Sequence, residues 1–265
     1  VGAVLALAGA VMQNVLRNPL ASASTLGVSQ GAAFGAALAI TFFHAGIGTD
    51  GNLGAALTVT SPAVVTVFAF VFGVASGAVI LALSLVTRIS SATMILSGIA
   101  LGAMFTGGTA IIQYFADDIK VASIVYWTFG DLGRTGWTQI GAMAAALAVA
   151  FLYFYRNAWN YNALANGTYT AKSLGVPVNV VLIVGMLVSC LLSSLAVAFV
   201  GTIGFVGLIA PHLARRFTGS NHRYLLISSV FCGAVLLMSA EVLSRFVVPP
   251  AVLSRRFSAP RCFST

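Results

Sequence analysis

The residues that could do chemistry in this chain are few and scattered. Its histidines, His44, His212 and His222, are separated by long apolar runs. Its cysteines, Cys190, Cys232 and Cys262, show no CxxC or Cys/His spacing, so neither a zinc site nor a disulfide framework is indicated. Cys190 and Cys232 fall inside apolar runs and read as small buried side chains. GxSxG and HExxH are absent. Neither lysine lies in GxxxxGK[ST], and Lys172 follows Ala171 rather than a glycine, so the chain offers no P-loop to ATP. The one ionisable residue clearly inside an apolar run is Glu241. A charge placed in lipid costs at least ~2.5 kcal/mol on insertion scales. Arg245, one helical turn on, is a ready partner, and a locally paired charge near the interface is the plainer reading than a transport site. Ion-coupled carriers depend on buried carboxylates or broken-helix ion sites. With only five acids in the chain, energy for any transport is expected from outside it.

The elements that hold these residues are apolar almost throughout. Only 7% of the 265 residues are charged, against roughly 25% in a soluble domain. Too few charges are present to cover a wetted surface, so lipid is the main solvent. The net charge of +8 comes from single basic residues between apolar runs, not from a stripe with interleaved aromatics, which argues against nucleic acid. Runs long enough for spanning or near-spanning helices fall at 1–16, 26–43, 63–86, 94–115, 140–155, 180–200, 203–217 and 224–248. The expected fold is therefore all-α: a polytopic membrane helix bundle of about eight transmembrane helices. Residues 1–250 form one domain.

Counting loops from the first span, Arg17, Arg88, Arg156, Lys172, Arg215, Arg216 and Arg223 share one side, with no acid among them. Lys120, Arg134 and Arg245 share the other with Asp50, Asp117, Asp118 and Asp131. That asymmetry makes the first side cytoplasmic. Arg255, Arg256 and Arg261 then fall outside, against the rule. Either a final inward span is missing or residues 251–265 are a non-native or truncated tail. The chain opens at Val1 inside an apolar run without a basic leader, and reads as lacking its native start. Gly27/Gly31/Gly35, Gly73/Gly77 and Gly98/Gly102 repeat a four-residue spacing, which lets helix backbones approach closely in lipid.

Three segments look more specialised. Arg17-Asn18-Pro19-Leu20-Ala21 stops a helix at its cytoplasmic end, because the residue before proline avoids the helical region. Residues 157–176 are the longest polar stretch on that side, with an Asn166-Gly167 turn between two short helical pieces. They are expected to lie outside the membrane and to dock a cytosolic partner, or to form a plain interfacial loop. Residues 201–212 space glycines three apart and then place Pro211 in a short helix, which it is expected to bend.

These segments resemble the FecCD-type permeases, the membrane subunits of ABC importers for iron-siderophores, haem and vitamin B12. The family stretch RNPLA-x-P-x-LLGVS-x-GA is similar to residues 17–32 here, and GPIGFVGLI-x-PH-x-R to residues 201–215, followed by Gly219-Ser220-Asn221-His222-Arg223. W-x-x-G-x-L appears at Trp127–Leu132 and A-x-SLGV at Ala171–Val176. The order is kept over residues 1 to about 250. The resemblance implies ten helices per subunit, so this chain would lack the first span and the last. The family's P-A-E-LP-x-G ending starts here as Pro250-Ala251-Val252-Leu253 and then turns basic.

It also implies partners: a second permease copy as a homodimer or close homologue, a cytosolic ATP-binding subunit, an extracytoplasmic solute-binding protein, and the lipid of a prokaryotic cytoplasmic membrane. The permease itself would be no enzyme and would hold no cofactor or metal. By the same resemblance Asn18 and Leu20 narrow the cytoplasmic exit, joined by Ser90 and Ser91. Asn166, Gly167, Lys172, Leu174 and Gly175 belong to the short helices that couple to the ATPase. The family's two acids there are replaced by Thr168 and Tyr169. Arg134 and Arg245 are the candidates for docking the binding protein, a role in which charge mainly steers and orients. The competing readings are an ion-coupled secondary transporter or channel, and a truncated non-transporting subunit. The cargo stays open among siderophore, haem, cobalamin and molybdate-type oxyanion.

Overall fold

The computed structural model describes residues 1–43, 45, 47–48, 58–59, 62–87 and 91–247. The helices are α1 (Gly2–Val15), α2 (Val28–Phe42), α3 (Pro62–Thr87), α4 (Ser91–Phe115), α5 (Asp118–Thr128) and α6 (Trp137–Arg156). They continue as α7 (Ala158–Ala165), α8 (Thr168–Ser173), α9 (Val178–Val200), α10 (Val206–Thr218) and α11 (His222–Val247). Two-residue strands β1 (Ile47–Gly48) and β2 (Thr58–Val59) pair antiparallel between α2 and α3. Five helices, α3, α4, α6, α9 and α11, are long and apolar enough to cross a bilayer. All eight expected spans are helical. α1, α2 and α10, at 14, 15 and 13 residues, are shorter than a full crossing.

α5 was not expected. Its 11 residues lie in a stretch that reads as an outer loop, with Asp117, Asp118 and Lys120 at its head. Its apolar side, Ile124 and Trp127, is buried beside α2. At 11 residues it is too short to span, so the charge-based sidedness is unaffected.

α1 is the centre of one half of the bundle. All of its residues except Ala3 are buried, and it packs between α9, α10 and α11. The approach is closest where glycines meet. A Cβ on Gly9 would overlap the carbonyl of Gly207 in α10, and one on Gly2 the carbonyl of Gly233 in α11. Pro211 explains why the Gly207 carbonyl is available: proline has no N–H to bond four residues back. That carbonyl instead lies against the Gly9 backbone, the geometry of a Cα–H···O contact.

The other half is α2 sandwiched by α3 and α4, with α9 behind. The glycine spacings are used for this packing. Gly31 and Gly35 face the carbonyls of Phe72 and Phe68, Gly73 and Gly77 face Ser194 and Cys190, and Gly98 faces Thr25 and Leu26. Gly27 differs from the expectation. It stands just before α2 with φ 74° and turns the chain rather than lying on the helix face. The outward sides of α3, α4 and α11 expose large apolar residues such as Val71, Ile99, Met104, Ile111 and Val235. A surface of that kind is stable against acyl chains, not water.

Candidate functional site

α7 and α8 form a hairpin between the end of α6 and the start of α9. α7 is anchored by its polar residues. The Tyr161 ring is fully buried, edge-on to Phe154 at 6.0 Å and beside the His222 ring at 6.1 Å. Its carbonyl accepts from Asn14 Nδ2 of α1 at 3.2 Å. Burial, and then the neighbouring Tyr153, push the Tyr161 phenol well above its ordinary pKa, so it stays neutral. Asn162 reaches the start of α11. Its Oδ1 accepts from the His222 backbone N–H at 2.7 Å and from the ring Nδ1 at 3.0 Å. Its Nδ2 donates to Asn221 Oδ1 at 3.0 Å. An amide oxygen only accepts, so the His222 ring carries its proton on Nδ1. α7 is thereby tied to α1 and α11 at once.

α8 is free on its outer side. Tyr169 is 90% and Leu174 53% exposed, and Lys172 points into solvent, while Ala171 is buried beneath. The backbone on either side needs glycine. Gly167 opens α8 at φ 123°, ψ 150°, a region closed to other residues, and its N–H donates to Leu164 O. Gly175 ends α8 at φ 78° in a Schellman motif, with Val176 N–H on Ala171 O and Gly175 N–H on Lys172 O. Asn166 closes α7, its Nδ2 donating to Asn162 O at 3.0 Å.

The RNPLA segment lies beside this hairpin. α1 also ends in a Schellman motif, with Arg17 N–H on Asn14 O and Asn18 N–H on Gln13 O. Here the left-handed position is Arg17 at φ 48°, where a side chain costs about 1–2 kcal/mol. Asn18 Oδ1 then accepts from Leu20 N–H at 2.8 Å, and Leu20 is left 62% exposed. Arg17 Nη2 reaches towards Leu164 O of α7 at 3.5 Å. Asn18, Asn166 and Gly167, far apart in sequence, line one polar cavity of about 360 Å³ with Asn14, Arg215 and His222.

The remaining expected residues fall elsewhere. Lys172, Leu174 and Gly175 sit on the exposed rim of α8. Ser90 lies outside the described residues, as do His44 and the tail 248–265; Ser91 begins α4, but its side chain is outside the described set. Arg134 is engaged locally. Its guanidinium stands 4.4 Å from the centre of the Tyr126 ring and donates to the carbonyls of Tyr126 and Trp127, capping the end of α5. Arg245 lies in the last turn of α11, with its side chain outside the described residues. Sequence reasoning missed Asn14, Tyr161, Asn162 and Asn221. The only signal was the density of asparagine in 157–166, which reads equally as loop.

Among the described residues no group of three or more His, Cys, Asp or Glu is placed to hold a metal ion. The arrangement is a hairpin hydrogen-bonded to two helices of the bundle, with Tyr169, Lys172 and Leu174 exposed on its other side.

Known proteins carry the same pattern. The chain is 48% identical over 252 residues to an ABC transporter permease protein of Methanocaldococcus jannaschii, covering 95% of this chain and 71% of that one. It is 34% identical over 251 residues to the hemin transport system permease protein HmuU of Yersinia pestis, covering 95% and 72%. A solved metal-chelate type ABC transporter in an inward-facing conformation superposes with a TM-score of 0.79 at 30% identity, covering 98% of this chain and 81% of that one. The pattern of the FecCD transport family matches residues 1–256. With five helices long and apolar enough to cross a bilayer and the family pattern running through nearly its whole length, this multi-pass membrane protein belongs to the FecCD transport family.

Proposed function

We propose that this chain is the membrane subunit of an ABC importer for iron chelates or related metal complexes such as haem, and that α7 and α8 are where it takes its driving force. The observation that carries the reading is the contrast within the hairpin. Its inner side is fixed by Tyr161 and Asn162 to α1 and α11, while its outer side leaves Tyr169, Lys172 and Leu174 uncovered. A surface of that kind suits a cytosolic ATP-binding subunit. Closure of that subunit on ATP would push α8, and the push would pass through Asn162 to α11 and through the Tyr161 carbonyl to α1. At the end of α1 it meets Asn18 and Leu20, the proposed exit gate, to which Ser90 and Ser91 would contribute. ATP hydrolysis belongs to the separate subunit. A second permease copy would complete the path, an outer binding protein would deliver cargo, and residues 1–250 act as one transport domain. Arg245 remains the better candidate for receiving that binding protein, since the Arg134 guanidinium is occupied with the end of α5.

The test is reconstitution with the cognate ATPase and binding protein in proteoliposomes, with labelled ferric chelates and haemin outside. The expected result is ATP-dependent accumulation of one of them. Leu174→Asp should abolish it while membrane insertion and fold are retained, because the side chain is exposed in the free subunit. Full uptake by that variant would overturn the coupling assignment.

A further inference from the structure

Two residues other than glycine have positive φ among the described residues, Arg17 and Phe205. Arg17, at φ 48°, fills the left-handed position of the Schellman motif that ends α1. The equivalent position at the end of α8 is Gly175, which has no Cβ to strain. Glycine is the residue such a position ordinarily takes, and a long side chain there is held against a backbone penalty. Strain of this kind is kept where a function needs it.

The Arg17 side chain crosses to α7. Its Nη2 donates to Leu164 O at 3.5 Å, a carbonyl that also accepts the Gly167 N–H at 3.1 Å. A Cβ on Gly167 would stand 3.8 Å from the same Nη2, so the guanidinium lies on the α7–α8 turn. One turn earlier on both helices, Asn14 Nδ2 donates to Tyr161 O. Asn14 and Arg17 thus form two rungs from the end of α1 to the last turn of α7. The carbonyls of a last helical turn carry the negative end of the dipole, which suits a cation. No described acid competes for it. Asp117, Asp118 and Asp131 lie at the two ends of α5, and Glu241 lies roughly 28 Å along α11 from His222, which shares the Arg17 cavity.

On its other side Arg17 leads straight into the proposed exit gate. Asn18 follows it, with its Oδ1 accepting from Leu20 N–H at 2.8 Å and its carbonyl from Ala21 N–H at 3.1 Å. Pro19 between them has a fixed φ. A stretch so closely tied has few soft dihedrals, and a displacement felt at Arg17 reaches Leu20 within three residues. The routes through Asn162 and Tyr161 act on whole helices instead.

We propose that Arg17 is a positioning residue that links the α7–α8 turn to the exit loop: its guanidinium holds the turn, and its left-handed backbone sets the course of residues 18–20. The inference rests on the importer reading above.

The experiment follows chelate uptake per ATP hydrolysed by the complete transporter in proteoliposomes, together with the unfolding temperature of the permease. Arg17→Gly relaxes the backbone and removes the guanidinium. Uptake per ATP should fall about fivefold or more, the worth of one such hydrogen bond, while the unfolding temperature stays within about 2 °C of wild type or rises. Arg17→Lys keeps a cationic donor and the same backbone demand, and should retain more than about half of the wild-type ratio. A wild-type ratio in Arg17→Gly overturns the inference. So does a larger drop in its unfolding temperature, which would make Arg17 a stabilising cap, and so does Arg17→Lys failing as fully as Arg17→Gly. All three leave the importer reading standing. If the wild-type complex accumulates no metal chelate at all, the importer reading itself fails and this inference falls with it.

Discussion

Glycine does two different jobs in two regions of this molecule. Between the helices it makes room: Gly9 and Gly2 of α1 and Gly35 of α2 meet backbone of the neighbouring helix, with no flexible side chain to yield. At the α7–α8 hairpin it shapes the chain: around Gly175 nothing lies within 4 Å, and Gly167 meets only Thr170 and Arg17 side-chain atoms, yet both have positive φ. The same residue type is thus required for volume in one region and for dihedral freedom in the other. The lesson is physical. Inside lipid, helices gain nothing from hydrophobic exclusion and must hold together by close packing. Outside it, the task is to aim a short helix, and turns decide that.

The comparison can be broken or sharpened by substitution. The largest effect belongs to Gly9→Asn. Asparagine accepts left-handed backbone but adds volume, so the cost should exceed about 3 kcal/mol through overlap with Gly207. The measure is loss of monodisperse protein on detergent extraction. Next is Gly167→Pro, which can reach neither φ 123° nor the bond to Leu164 O. Uptake should vanish while thermal unfolding of the bundle shifts little, because the hairpin turn lies outside it. Asn162→Leu comes third. It orphans the His222 N–H and ring Nδ1, and should lower stability by about 2–3 kcal/mol, read as a drop in unfolding temperature. The smallest effect is Gly175→Asn, expected within about 0.5 kcal/mol, since asparagine tolerates φ 78° and the space is open. A severe loss there, or a mild one at Gly9, would erase the distinction between the two regions.

Much of the architecture is legible without coordinates. Apolar runs mark every spanning segment because the bilayer imposes a length and excludes charge. The glycine spacings anticipate the seams of α2 with α3 and of α3 with α9. The Asn166-Gly167 turn announces the hairpin. α5 escaped, because its amphipathic character is weak and its head is charged, so only Ile124 and Trp127 buried beside α2 reveal why it forms. The anchoring set Asn14, Tyr161, Asn162 and His222 escaped for a different reason: its members come from three elements, and no local pattern ties them.

The amino-acid sequence by itself determined that this protein lives in lipid, that it is a polytopic helical bundle and which family it resembles. Those properties depend on composition and local order, which solvent reads directly. Tertiary structure alone decided that the Gly207 carbonyl freed by Pro211 falls on Gly9, that Asn18 shares a cavity with Gly167, and that Arg17 reaches the Leu164 carbonyl. Those are meetings between distant segments, and only packed backbones specify which atoms meet.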